Sequence, residues 1–125
     1  MSKPSFGRDL FQGRLRLDLI DPPPPVSNAE GETFLAQLRT FCEEKVDSRR
    51  IEREDRIPDE VINGLKDLGA FAIKLPKEYG GQGLPATCYH RALMIVSSTH
   101  SSLGELLAAH QAIGLTQPLL LFGTA

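Results

Sequence analysis

The sequence predicts an all-α fold, a small up-and-down helical bundle with an extended N-terminal lead-in. Three observations carry this. Apolar residues recur at helical spacing, as in Phe34, Leu35, Leu38, Phe41, Cys42 and Val46. Start and stop signals bracket those stretches. No segment alternates apolar and polar residues as a half-buried strand does. At 125 residues the chain is long enough for one domain with its own core.

Residues 1–26 read as the lead-in. Pro22 to Pro25 is a run of four prolines, which excludes helix interior and favours a stiff polyproline stretch. Phe6, Leu10 and Phe11 are the residues that could anchor this tail over the body. The helical domain is expected over 27–125. Its first helix opens at Ser27-Asn28-Ala29-Glu30, read as a capping box in which Ser27 caps and Glu30 reaches back. Residues 43–60 are dense in charge of both signs. Glu54-Asp55 could serve acid–base or metal chemistry, but interleaved arginines and the lack of apolar pocket residues favour a solvated face with surface ion pairs.

A second helix begins at Ile57-Pro58-Asp59-Glu60, where a proline followed by acids suits a helix N-terminus. Val61, Leu65 and Leu68 mark its buried face and Gly69 ends it. Ala70-Phe71-Ala72-Ile73 reads as a short buried connection. The third helix runs from near Pro85 to about Thr99, with Tyr89, Ala92, Leu93 and Val96 on one face. Ser102-Leu103-Gly104-Glu105 reads as another capping box, opening a fourth helix through about Ile113. Gly114 interrupts it, and Thr116 to Phe122 makes a short terminal helix ended by Gly123.

Composition narrows the function. A net charge of −2 gives no bulk attraction to nucleic acid. Cys42 and Cys88 are far apart with no motif around them, and read as two reduced thiols. No apolar run is long enough to span a bilayer. The first residues lack the apolar core of a signal peptide, and Asp9 and Asp18 among Arg8, Arg14 and Arg16 argue against a transit peptide. A cytoplasmic protein is the expectation.

The stretch LPKEYGGQGLP, residues 75–85, raises the question of phosphate binding. A Walker loop places Lys-Ser/Thr directly after its last glycine, whereas Gly83 is followed by Leu84 and Pro85. A dinucleotide fingerprint needs a preceding strand and the spacing GxGxxG, and neither is present. The glycines are expected to turn a tight corner between two helices. His90, His100 and His110 are spaced by ten, which rotates a helix by about 280° beyond whole turns, so they do not share a face. No metal site is expected from them. His110, among Leu106, Leu107, Ala109 and Ile113, is either a core histidine or a pocket-lining one. No serine has a nucleophile-elbow context.

From Ala86 to Ala125 only Arg91 and Glu105 carry formal charge. Helices so poor in charge are buried on several sides or face another protein surface. The chain stops at LLLFGTA with no polar tail. This half is expected to pack against something outside the sequence, either further chain or a partner.

The stretch IPDEVINGLKDLGAFAIKLPKEYGGQGL resembles the N-terminal region of acyl-CoA dehydrogenases, in which a helix ending in LG leads into a P-x-x-x-GG-x-G loop. LLAAHQAIGLTQPLLLFGTA resembles the later helices of the same domain. The likeness covers roughly 28–125, and AHQAIG with LLLFGT and the lead-in LFQGRLRLDLIDPPPP look most like the long-chain or very-long-chain branch.

The resemblance implies a helical N-terminal domain, with the middle β and C-terminal α domains absent from this sequence. It implies FAD bound mainly by those absent regions and an acyl-CoA substrate. It also implies loss of an α-proton to a glutamate base beyond residue 125, with the β-hydride passing to flavin N5. An electron-transfer partner and a homodimer or homotetramer follow from the same likeness. No catalytic residue falls within this chain, which alone is expected to be inactive. The later helices wall the acyl-chain cavity in that family, and this is carried over to Leu106, His110 and Gly114 at i, i+4 spacing, with Ala109 and Gly114 leaving room. Glu105 is given no catalytic role, since capping explains it. An acyl-CoA oxidase, another flavin dehydrogenase on the same scaffold, and a non-catalytic helical interaction module are the alternatives.

Overall fold

The structure, a computed structural model, describes residues 4–20, 28–114 and 116–123. Its helices are α1 (Phe6–Phe11), α2 (Ala29–Lys45), α3 (Ser48–Glu54), α4 (Asp59–Asp67), α5 (Ala86–Thr99), α6 (Ser101–Ala108) and α7 (Thr116–Phe122). Among the described residues there is no strand. The domain is all-α, as its sequence predicts.

The core forms where the apolar stripes of α2, α4, α5 and α6 meet. Leu38, Leu65, Ile73, Val96, Leu103 and Leu107 are fully enclosed. A buried leucine of this kind contributes about 1.5–3 kcal/mol, so these stripes dominate the stability. Three glycines let helices approach closely, and at Gly64 a Cβ would overlap the Phe41 ring where α4 meets α2. At Gly31 a Cβ would already touch the Cys88 sulfur at 3.4 Å, where α2 meets α5. At Gly104 it would overlap the Ser97 hydroxyl, where α6 meets α5.

Four local expectations are corrected. The lead-in is not extended throughout. Ser5 caps α1 by accepting from the Arg8 amide, and a 3-10 turn follows at Leu17–Leu19. Leu10 and Phe11 do not anchor it; Phe11 is 96% exposed. The proline run and Ser27 lie outside the described residues. At α2 the capping side chain is Asn28, whose Oδ1 accepts from Gly31 N at 2.8 Å, and Glu30 turns outward to Lys77 at 2.8 Å. Asparagine caps as well as serine, and Lys77 gives the carboxylate a charged partner.

The charged stretch holds a helix, α3, that the sequence reading did not include. Asp47 caps it, Asp55 ends it at φ +49°, and Ile51 is its one buried residue. The expected ion pairs are there: Arg50 with Glu54 at 3.0 Å and Glu60 at 2.7 Å, and Arg56 with Asp59 at 2.8 Å. Being exposed, such pairs contribute little.

The fourth correction lies at α6. Ser102 and Glu105 form no capping box. His100, extended at φ −158°, is the only residue between α5 and α6, and its Nδ1 accepts from Ser102 N at 3.2 Å. The serine amide is therefore already taken by the imidazole.

Candidate functional site

The glycine corner is settled by where its amide groups point. Gly80 N bonds Lys77 O, Gly81 N bonds Pro76 O, Gln82 N bonds Ala72 O, Gly83 N bonds Leu75 O and Leu84 N bonds Ile73 O, all at 2.8–3.1 Å. An anion site needs free amides converging on it, and these five are spent inside the turn. Gly80 and Gly83 supply positive φ, at +80° and +62°. The Gln82 side chain donates to Leu68 O at 2.9 Å, closing the end of α4. The corner is structural, and it offers no cradle for a cofactor phosphate.

His100 is 9% exposed and bonds on both sides. Besides capping α6 through Nδ1, its Nε2 lies 2.9 Å from Glu52 Oε1. Accepting at Nδ1 leaves the ring proton on Nε2, facing the carboxylate. The imidazole thus ties α3 to the start of α6. Among the described residues no group of three His, Cys, Asp or Glu could hold a metal ion. Cys42 and Cys88 are buried free thiols, and burial pushes both above the usual thiol range.

The last turn of α6 and the stretch after it carry the three residues expected at a substrate wall. Straight α-helix gives way at Ala109–Ile113 to a wider π-turn, a device often found at functional sites. Leu106, in the last turn of α6, is half-buried. His110 is exposed rather than a core residue, with its ring against Phe71 at 4.8 Å between centroids. Gly114 leaves the turn half-buried, and a Cβ there would lie 2.9 Å from Ala109 O and 3.0 Å from His110 O. Gly114 therefore allows the chain to pass close to the turn's own carbonyls. Room for a ligand is not what the glycine provides in these contacts.

Gln111 escaped the sequence reading. It is 3% exposed and follows Leu103 and Leu107 at i, i+4 spacing on the buried stripe. Its Oε1 accepts from Ile73 N at 3.1 Å and, more weakly, from Lys74 N at 3.5 Å, while Nε2 donates to Ala70 O at 2.6 Å. An amide occupying the third place of an apolar stripe was the available signal. Beyond the turn, Leu119, Leu120, Leu121 and Phe122 of α7 are exposed, as is Met94 on α5.

This helical domain, with its glycine corner and charge-poor later helices, is matched over residues 28–125 by the family described as acyl-CoA dehydrogenase, N-terminal domain. The chain belongs to that family. A Mycobacterium tuberculosis protein named "Probable acyl-CoA dehydrogenase FadE10" is 52% identical over 126 residues, covering 98% of this chain and 19% of that protein. The very long-chain specific acyl-CoA dehydrogenases of mitochondria from Bos taurus and Homo sapiens are each 39% identical over 124 residues, covering 96% of this chain and 19% of theirs. The chain thus spans 19% of the length of these relatives. No described helix is long and apolar enough to cross a membrane.

Proposed function

We propose that this chain is the N-terminal α-helical part of an FAD-dependent dehydrogenase that introduces a double bond between the α and β carbons of long-chain acyl-CoA thioesters. The observation that carries the reading is the family match over 28–125. The relatives' names, acyl-CoA dehydrogenase and very long-chain specific acyl-CoA dehydrogenase, support the substrate class. When bound, FAD supplies the hydride acceptor. On this reading FAD is bound mainly by regions outside this sequence, in keeping with a glycine corner whose amides are already bonded, and the catalytic base lies there too.

The contribution of this chain is a wall. Leu106, His110 and Gly114 line the far part of the acyl-chain cavity, on a stretch without a formal charge after Glu105. An apolar chain gains about 0.8 kcal/mol for each methylene buried there, so the depth of the wall sets chain length. The middle β and C-terminal α domains cover the exposed apolar residues of α7. The complete enzyme is a homo-oligomer and passes its electrons to a separate acceptor protein.

The test is made on the full-length protein. Its flavin absorption is recorded, and acyl-CoA thioesters of increasing chain length are added without oxygen. Bleaching of the flavin, strongest for long chains, is the expected result. A protein without flavin, or one whose flavin no acyl-CoA reduces, would overturn the reading in favour of a non-catalytic module. Rapid reoxidation by oxygen with stoichiometric peroxide would mark an oxidase instead.

A further inference from the structure

We infer that Gln111 is a positioning residue for acyl-chain selection, clamping the π-turn of Ala109–Ile113 to the 70–74 segment so that Leu106 and His110 keep a fixed place in the wall. This rests on the acyl-cavity reading above. The wide turn departs from straight α-helix within one element of the chain, so something must choose its register. The Gln111 amide does so, because its oxygen and its nitrogen each find backbone partners of opposite polarity: Ile73 N for the first, Ala70 O for the second. Slipping the turn by one residue would break both bonds and leave a buried amide unpaired, which is costly.

The clamped segment is itself anchored in the core. Ala70 and Ile73 are completely buried, each at 0% exposure. Between them Phe71 carries the His110 ring. One short piece of backbone thus holds two neighbouring residues of the turn, Gln111 by hydrogen bonds and His110 by ring contact. A leucine at 111 would continue the stripe of Leu103 and Leu107 and bury equally well. It would carry no directional information, and the wall would be free to shift against the core.

Contacts with the far end of the substrate are made only by long chains. Loss of a fixed wall should therefore cost long substrates more than short ones. The experiment compares kcat/KM for long and short acyl-CoA in the full-length flavoenzyme and three variants: Gln111→Glu, Gln111→Asn and Leu106→Phe. Glutamate keeps the acceptor toward Ile73 N but turns the donor toward Ala70 O into a carboxylate oxygen. Asparagine keeps both functions and loses reach.

The expected result is a fall of about fivefold or more in the long-to-short ratio for either Gln111 variant, the scale of a displaced positioning group. For Gln111→Glu the ratio should recover partly at lower pH, where a protonated carboxyl donates again. A residue that only stabilises the fold would lower the yield of active enzyme and leave the ratio unchanged. If Leu106→Phe shifts the ratio and the Gln111 variants do not, the clamp is refuted and the cavity reading stands. If none of the three shifts it, both fall. Where Gln111→Glu yields no flavoenzyme, Gln111→Asn alone decides in the same way.

Discussion

Alanine at Gly81 is expected to destabilise this chain by roughly 1–4 kcal/mol, and alanine at the adjacent Gly80 by about 1. The two glycines do different work. At Gly81 the added methyl would overlap the Leu75 carbonyl oxygen and its carbon. That neighbour is backbone and cannot rotate away, so the corner must open. Overpacking of this kind costs about 1–3 kcal/mol. Opening also strains the bond from Gly83 N to Leu75 O, now 2.8 Å, whose net worth is about 0.5–1.5 kcal/mol. At Gly80 the methyl would meet open space, and only the positive φ of +80° is penalised. That penalty is about 1–2 kcal/mol, and in both variants the stiffer unfolded chain returns about 0.4–1 kcal/mol.

Urea unfolding followed by far-UV circular dichroism separates the two. With a common slope of about 1–3 kcal/mol per molar, the Gly81→Ala midpoint should fall below that of Gly80→Ala by about 1 M. A Gly81→Ala protein no weaker than Gly80→Ala would refute the packing argument. A second arm tests the corner's chemistry. Low-millimolar inorganic phosphate, against chloride of equal ionic strength, should leave the wild-type midpoint unmoved, because a ligand stabilises only what it binds. A phosphate-dependent rise abolished by Gly81→Ala would mean that the amides are available after all.

Two further outcomes follow from the same geometry. His100→Ala should lose about 1–2 kcal/mol with the α6 cap, and His100→Asn should keep most of it; equal losses in the same urea assay would show that ring packing, not capping, is what matters. Cys42 and Cys88 should react slowly with a disulfide reagent in the native chain at pH 8 and quickly in denaturant. Their folded pKa values are raised by burial, so the neutral thiol favours folding. Stability from them is complete below the unfolded thiol value and is lost as pH rises through the higher folded one. Native thiols as fast as unfolded ones would contradict the burial.

The parts of the fold that were legible share a physical cause. Helices α2, α4 and α5 announce themselves because each buries several residues at regular spacing. Gly69 was readable as a stop because a left-handed residue, here at φ +73°, strongly favours glycine. Helix α3 was not, since Ile51 is its one buried residue and a single anchor has no period. The caps were misplaced for a related reason. Capping depends on which acceptor reaches the amide first, and His100 reaches Ser102 N from a residue type that pattern rules leave out.

The proposed substrate wall was legible only in outline. Spacing put Leu106, His110 and Gly114 on one face, but it assumed straight α-helix, and the chain passes through a π-turn at Ala109–Ile113. Gly114 looked like space made for a ligand; its nearest neighbours are the carbonyls of Ala109 and His110. A bulky residue there would distort the turn before it narrowed any cavity, so a loss of long-chain activity would not separate the two effects. Leu106 is half-buried and lies in regular helix, and it is the better place to probe cavity depth. Gln111 completes the argument from the opposite side. A polar residue in an apolar stripe reads as a defect until its partners are known, and those partners lie 38 and 41 residues away in sequence. Local pattern cannot reach that far, so the residue that fixes the turn becomes visible only once α4 and its buried connection have been folded against α6.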